Sequence, residues 1–153
     1  VAAAIGLAQL ERIDYFINKR IESAKEHRKV VEKCEWLKEK TIPENYRHTQ
    51  WTYVLKIQRD DIDWLEFKNR FETFGGDGPF GCWKITYQED LFTNRAFERL
   101  SPSQYKNVKY QTGICPVAED IQPRLLQFST NQGTERDIQE QVNALEKTIK
   151  SFD

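Results

Sequence analysis

The first forty residues constrain the chain most. Apolar side chains recur there at helical spacing, and no proline intervenes before Pro43. Ile5, Ile13, Ile17, Ile21, Ala24, Val31, Cys34 and Leu37 fall near one face. Glu11, Asn18, Lys19, Lys25, Arg28, Lys29 and Lys33 take the other. The pattern predicts a single long amphipathic helix over residues 1–40. No Ser, Thr, Asp or Asn precedes the apolar run to cap it, and the chain contains no Met. The expectation is that the chain is part of a longer polypeptide that continues upstream. Ala2, Ala3, Ala4, Gly6 and Ala8 make the first turns thin. A thin helix lets another backbone come close, which points to packing against polypeptide outside this sequence. The helix preference of alanine explains the same run with no partner at all.

A chain of 153 residues is one domain's worth of sequence, long enough to bury a core. Its 23 basic and 24 acidic residues are interspersed and leave a net charge of −1, which gives no field for nucleic acid or an anionic membrane. No apolar run is long enough to span a bilayer, and no signal-peptide pattern is visible. Cys34, Cys82 and Cys115 are odd in number and far apart, which suits reduced thiols in a cytoplasmic protein. With His27 and His48 they lack the paired spacing of a zinc site, so no metal is expected.

Beyond the helix, Thr41–Asn45 is a break, because Pro43 cannot continue a helix. In Trp51–Gln58, Trp51, Tyr53, Leu55 and Ile57 alternate with Thr52, Val54, Lys56 and Gln58, which predicts a strand with one apolar face. Arg59-Asp60-Asp61 is a turn that supplies an N-cap. Ile62, Leu65, Phe67, Phe71 and Phe74 then follow at helical spacing until Gly75-Gly76 ends that helix. Gly75–Gly81 is a loop without a P-loop or dinucleotide signature. Cys82–Tyr87 predicts a second short strand. Residues 88–111 are irregular, with a helical turn over Arg95–Leu100, a break at Ser101-Pro102 and a polar loop from Tyr105 to Gln111. Cys115–Gln122 predicts a short helix with Pro116 at its first position. Arg124–Ser129 predicts a third strand, and Asn131–Gly133 a turn. A loose capping box, Thr134–Asp137, opens a final helix with Ile138, Val142, Leu145 and Ile149 on one stripe.

These elements predict an α+β fold: a long N-terminal helix and a small, mostly antiparallel sheet of about three strands with helices packed on one face. By default His27 is solvated among charges, and Cys82 and Cys115 are buried and inert. Asp60, Asp61 and Asp63 resemble an acid pair, but an N-cap with first-turn acids explains them.

Ala3–Asp14, followed by Phe16-Ile17 and Arg20, closely resembles a signature of the DegT/DnrJ/StrS-type sugar aminotransferases, pyridoxal-phosphate-dependent enzymes of fold type I. The resemblance extends through Tyr53–Gln58 with Arg59, Cys115–Glu119, Leu125–Phe128 and the closing helix. It implies residues 1–40 as a linking helix from a large domain and residues 41–153 as the small C-terminal domain. It further implies a homodimeric parent enzyme of polysaccharide biosynthesis. That enzyme moves an amino group from glutamate or glutamine to a nucleotide-linked keto-sugar. The family's Schiff-base lysine, the aspartate at the pyridine nitrogen and the phosphate-binding residues lie upstream of this helix. Pyridoxal 5′-phosphate would therefore be held by the large domain, and this chain alone would neither carry it nor transaminate.

Where the family commonly carries a stretch with His and Pro, this chain has Gly75–Gly81 before an aromatic segment. Asp77, Trp83, Tyr87 and His48 are the candidates for substrate contact, each with an ordinary loop or core role as the alternative. A different class of function is a non-catalytic binding module that keeps only the small-domain fold and docks through the thin end of its helix.

Overall fold

The computed structural model describes residues 1–99 and 109–153. Among the described residues the sheet has four strands, one more than predicted: β1 (Leu37–Glu39), β2 (Thr52–Ile57), β3 (Phe80–Gly81) and β4 (Leu125–Ser129). They lie in the order β1-β2-β4-β3 with every neighbour antiparallel. Among the described residues the helices are α1 (Ala2–Leu10), α2 (Ile13–Val31), α3 (Trp64–Thr73), α4 (Asp90–Thr93), α5 (Pro116–Ile121) and α6 (Glu135–Lys150).

The single helix expected over residues 1–40 is two helices and a strand. It breaks at Arg12, whose φ of −110° and ψ of 7° leave the helical region. It ends at Val31, where backbone N–H groups of Lys33 and Cys34 fold back to Val30 and Val31. Leu37 is then taken into the sheet, opposite Ile57. Cys34 and Leu37 are buried as the helical spacing implied, but as turn and strand. Arg28 on α2 reaches across to Glu39 on β1, its Nε donating to Oε2 at 2.6 Å. No residue of α1 is buried.

The alternation in β2 has its expected result. Tyr53, Leu55 and Ile57 are fully buried, and Leu126 and Phe128 of β4 join them on the inner face. Helices α2, α3 and α6 close over that face, with Ala24 and Val31, Phe67 and Phe71, and Ile138, Val142, Leu145 and Ile149. Phe67 is central, its ring 6.1 Å from Phe128, 6.3 Å from Trp36 and 6.0 Å from Phe152. The cap expected from the 59–61 turn is instead Asp63, which accepts from the N–H groups of Leu65 and Glu66, so α3 starts at Trp64 and Ile62 lies before it. Asp60 and Asp61 pair with Arg124 and Arg59, so all three acids have structural partners. The capping box of α6 is complete, Thr134 and Asp137 each accepting the other's N–H.

After α3 the chain reverses through Gly75 at φ +90° and Gly76, where a Cβ would stand 2.1 Å from the Phe71 ring. Only glycine fits that approach. The strand predicted at Cys82–Tyr87 falls instead at Phe80–Gly81, pairing with Gln127 and Leu126, and Thr86–Gln88 is a 3₁₀ turn. The turn expected over Arg95–Leu100 is a 3₁₀ helix at Ala96–Arg99. The break at Ser101-Pro102 and the start of the loop from Tyr105 lie outside the described residues.

His27 is not solvated. It is 1% exposed, beneath Tyr53 and Phe128, and its Nδ1 donates to the Ser23 carbonyl at 2.8 Å. Its neighbours in sequence are charged, but position 27 faces the sheet. Cys115 is exposed and Cys82 half-buried, contrary to the default for both. Among the described residues no helix is long and apolar enough to cross a membrane, and no group of His, Cys, Asp and Glu could hold a metal ion.

Two predictions follow from this packing. Phe67→Ala empties a fully buried site between sheet and helices and should cost about 3–5 kcal/mol, read as a lower urea midpoint at unchanged slope. Burial lowers the His27 pKa below its ordinary 6.5, against smaller opposing effects of the Ser23 carbonyl, Asp77 and Glu26. The folded state therefore resists the proton that the unfolded chain accepts. Stability should fall as pH drops below about 6.5, until the folded pKa is passed. Asp77, whose pKa is raised chiefly by burial, has the opposite slope at lower pH, above 3.8. Urea titrations from pH 8 to 5 should detect the loss, and His27→Gln should flatten it.

Candidate functional site

Two hollows meet where the α1–α2 bend approaches one end of the sheet. The larger, about 490 Å³, lies between Arg12, Tyr15, Phe16, Lys19 and Arg20 and the turn over residues 130–133. The second, about 340 Å³, has Thr52, Gln127 and Ser129 on its lining with Trp51, Phe80 and Trp83. Arg20 and Asn131 line both, so the hollows form one groove.

The groove is built by hydrogen bonds between parts distant in sequence. Arg20 Nη1 donates to the Trp51 carbonyl at 3.1 Å and to Thr130 Oγ1 at 3.3 Å. Thr130, itself buried, donates to the Gln50 carbonyl at 2.5 Å. Ser23 Oγ donates to Gln132 Oε1 at 2.8 Å, and Gln132 Nε2 to the Ser129 carbonyl at 3.0 Å. Helix α2, the start of β2 and the turn after β4 are thereby held together. Gln127 Nε2 donates to the Gly81 carbonyl at 3.2 Å and ties β3 to the second hollow.

Its electrostatics are one-sided. Arg12, Lys19 and Arg20 line it, and no Asp or Glu does. Lys19 pairs with Glu22 at 3.3 Å, which raises its pKa. The Arg12 guanidinium lies over Phe16, 4.9 Å from the ring centre. Among the described residues no carboxylate pairs with Arg12 or Arg20. Trp51, Phe80 and Trp83 are 70%, 62% and 86% exposed, so most of each side chain meets solvent.

Of the four residues singled out from sequence, Trp83 lines this groove and the other three do not. Asp77 anchors the glycine loop from behind: its N–H donates to Gln141 Oε1 at 2.8 Å, and burial raises the pKa of its carboxyl group. Tyr87 donates its hydroxyl to Glu119, which also accepts from the Gly113 N–H at 2.7 Å. Burial and then Glu119 raise the Tyr87 pKa, and the Tyr87 bond lowers that of Glu119. His48 Nδ1 accepts from the Gln50 N–H at 3.0 Å, and the ring borders a separate hollow of about 300 Å³ with Tyr46 and Arg47. Sequence reasoning passed over Arg12, Trp51, Phe80 and Asn131 as site residues. The alternation puts Trp51 on the apolar face of the strand, but β2 begins one residue later and leaves the indole 70% exposed.

A seat for pyridoxal 5′-phosphate needs a lysine able to become a neutral nucleophile. Lys19 is the lysine on this groove, and it is engaged by Glu22 at 3.3 Å, which raises its pKa away from the neutral form. The groove by itself does not fit that cofactor.

Several solved aminotransferases share the fold. The sugar aminotransferase CalS13 from Micromonospora echinospora superimposes with a TM-score of 0.70 at 19% identity, over 94% of this chain and 34% of its own. For the aminotransferase from Psychrobacter cryohalolentis the values are 0.76, 19%, 97% and 38%. For TlmJ from Streptoalloteichus hindustanus they are 0.67, 17%, 99% and 36%. The chain thus spans about a third of the length of these structures. Comparison with curated protein sequences gives no match. The sequence pattern of the DegT/DnrJ/EryC1/StrS aminotransferase family matches residues 1–146, and the chain belongs to that family.

Proposed function

We propose that this chain is the C-terminal small domain of a pyridoxal-phosphate-dependent sugar aminotransferase. The parent enzyme moves an amino group from glutamate or glutamine to a nucleotide-linked keto-sugar and works as a cytoplasmic homodimer. Helix α1 leads out of a large domain that carries the cofactor, the Schiff-base lysine and the phosphate seat. The chemistry of amino transfer belongs to the cofactor there. The small domain contributes a wall of the substrate site, in which Trp83 is the contact among the four residues first singled out. Asp77, Tyr87 and His48 hold the loops behind it.

The observation that carries this reading is the extent of the match. Nearly the whole chain, 94% to 99% of it, corresponds to 34% to 38% of solved aminotransferases. The bare α1, with Leu7 and Leu10 60% and 62% exposed, also supports it. Those side chains are apolar and find little cover among the described residues.

The complete polypeptide that contains these residues should bind pyridoxal phosphate, with its visible absorbance. It should form 2-oxoglutarate from glutamate when given a nucleotide-linked keto-sugar. The 153-residue chain alone should do neither. A complete polypeptide with no lysine-bearing domain and no cofactor absorbance would instead favour a non-catalytic binding module.

A further inference from the structure

We propose that Glu119 of α5 and Gln122 just after it are positioning residues for Trp83: they hold the chain on both sides of it and so set where its indole stands in the groove. The inference rests on the reading of Trp83 as the substrate contact. It adds two residues outside the groove lining that act on the substrate through Trp83.

Trp83 cannot place itself. It is 86% exposed, and among the described residues its side chain makes no hydrogen bond and meets no aromatic ring. It also lies beyond the end of β3, whose last pair is Gly81 with Leu126. Its position therefore comes from the backbone that carries it. Before Trp83, that backbone is pinned at two residues. Gly81 lies on the Trp64 ring, where a Cβ would stand 2.8 Å away, and its carbonyl accepts from Gln127. The Cys82 carbonyl accepts from Gln122 Nε2 at 2.9 Å. After Trp83, the chain is pinned at Tyr87, whose hydroxyl donates to Glu119.

Both ends of the segment thus meet one element. Gln122 follows Glu119 by three residues and keeps helical dihedrals, φ −51° and ψ −48°, and side chains at that spacing share a face. Glu119 is itself well held. Besides the Tyr87 hydroxyl it accepts the Gly113 N–H, at 2.7 Å on Oε1 and 2.9 Å on Oε2, and the Cys115 N–H at 3.3 Å. Hydrogen bonds to an ionised acceptor are the strong ones, so its carboxylate is a firm point for Tyr87 to bind. Helix α5 is tied in turn to the sheet, where Asp120 pairs with Lys56 of β2 at 3.5 Å. A continuous run of bonds leads from the sheet through α5 to the chain that presents Trp83.

The test uses the complete polypeptide labelled with fluorotryptophan, its Trp83 fluorine NMR signal assigned through Trp83→Phe. Glu119→Ala and Gln122→Ala should each shift and broaden that signal and leave the signal of Trp36, packed against the core, in place. In turnover, Glu119→Ala should raise KM for the keto-sugar about fivefold with kcat held. Glu119→Gln should recover most of that loss, because its amide oxygen can still take the donors that Oε1 takes from Tyr87, Gly113 and Cys115. Once Trp83 is alanine, Glu119→Ala should change KM no further, since a residue that acts through Trp83 has nothing left to position. Tyr87→Phe removes a single bond and should move the same fluorine signal even where Glu119→Ala folds poorly. An unmoved Trp83 signal in both Tyr87→Phe and Gln122→Ala overturns the proposal. So does an equal rise in KM from Glu119→Ala with and without Trp83. Amino transfer by the unaltered polypeptide is measured separately. Its absence sinks the aminotransferase reading, and the fluorine signal still decides the positioning; an additive cycle in an active enzyme sinks this inference alone.

Discussion

Everything in this domain depends on the burial of one face of a narrow sheet. Tyr53, Leu55, Ile57, Leu126 and Phe128 are each 0% or 1% exposed, and three helices meet over them. A sheet this small is not stable alone, because one of its faces must be covered. The cover is largely aromatic at its centre: Phe71 stands edge-on to Phe128 at 5.4 Å, and Phe67 lies parallel to Phe152 at 6.0 Å. Gly76 belongs to the same constraint, since the chain leaves α3 pressed against the Phe71 ring. The buried His27 is tolerated because its Nδ1–H has the Ser23 carbonyl, while burial disfavours its charged form.

The opposite sheet face has another composition, and this difference leaves a groove there. Thr52, Val54, Lys56 and Gln127 are half-buried and mixed in character. Alternation along β2 and β4 sends polar side chains to that face by the same register that buries Tyr53 and Phe128. The groove then needs only neighbouring segments to raise its walls. Trp51 stands just before β2, Phe80 in β3 and Trp83 just after it, all beyond the reach of the inner core.

The legible parts of the sequence were those with strong local periodicity. The strand around Tyr53–Ile57, the body of helix α3 and helix α6 with Thr134 and Asp137 follow from spacing and capping alone, whereas the α3 cap is Asp63 and not a residue of the 59–61 turn. Spacing misled where two structures bury the same positions. Cys34 and Leu37 fit a helical stripe, yet a turn and the pairing of Leu37 with Ile57 bury them. His27 was misread because its charged neighbours in sequence point away from it on a helix. Strand β3 is two residues long and is held by Gln127 and Leu126 of β4, a pairing that no local pattern contains. The family resemblance was legible through motif order, and the groove was not. Its residues come from four separate stretches, and their convergence is a property of the fold.

Arg20 shows how the two faces are coupled. It lies on α2, a helix whose inner side packs on the sheet through Ala24, His27 and Val31. Its guanidinium reaches round the end of the sheet to the Trp51 carbonyl and Thr130, the residues that flank the paired ends of β2 and β4. Thr130 is 1% exposed and already bonded to Gln50, so it cannot follow a moving partner. The position of α2 on the core therefore sets where the Arg20 charge sits, and the same bonds hold the backbone that presents Trp51. A rigid core thus fixes the spacing between the cationic and aromatic ends of the groove. A loop-built site would have to order that spacing on binding, at a cost in conformational entropy that this arrangement avoids.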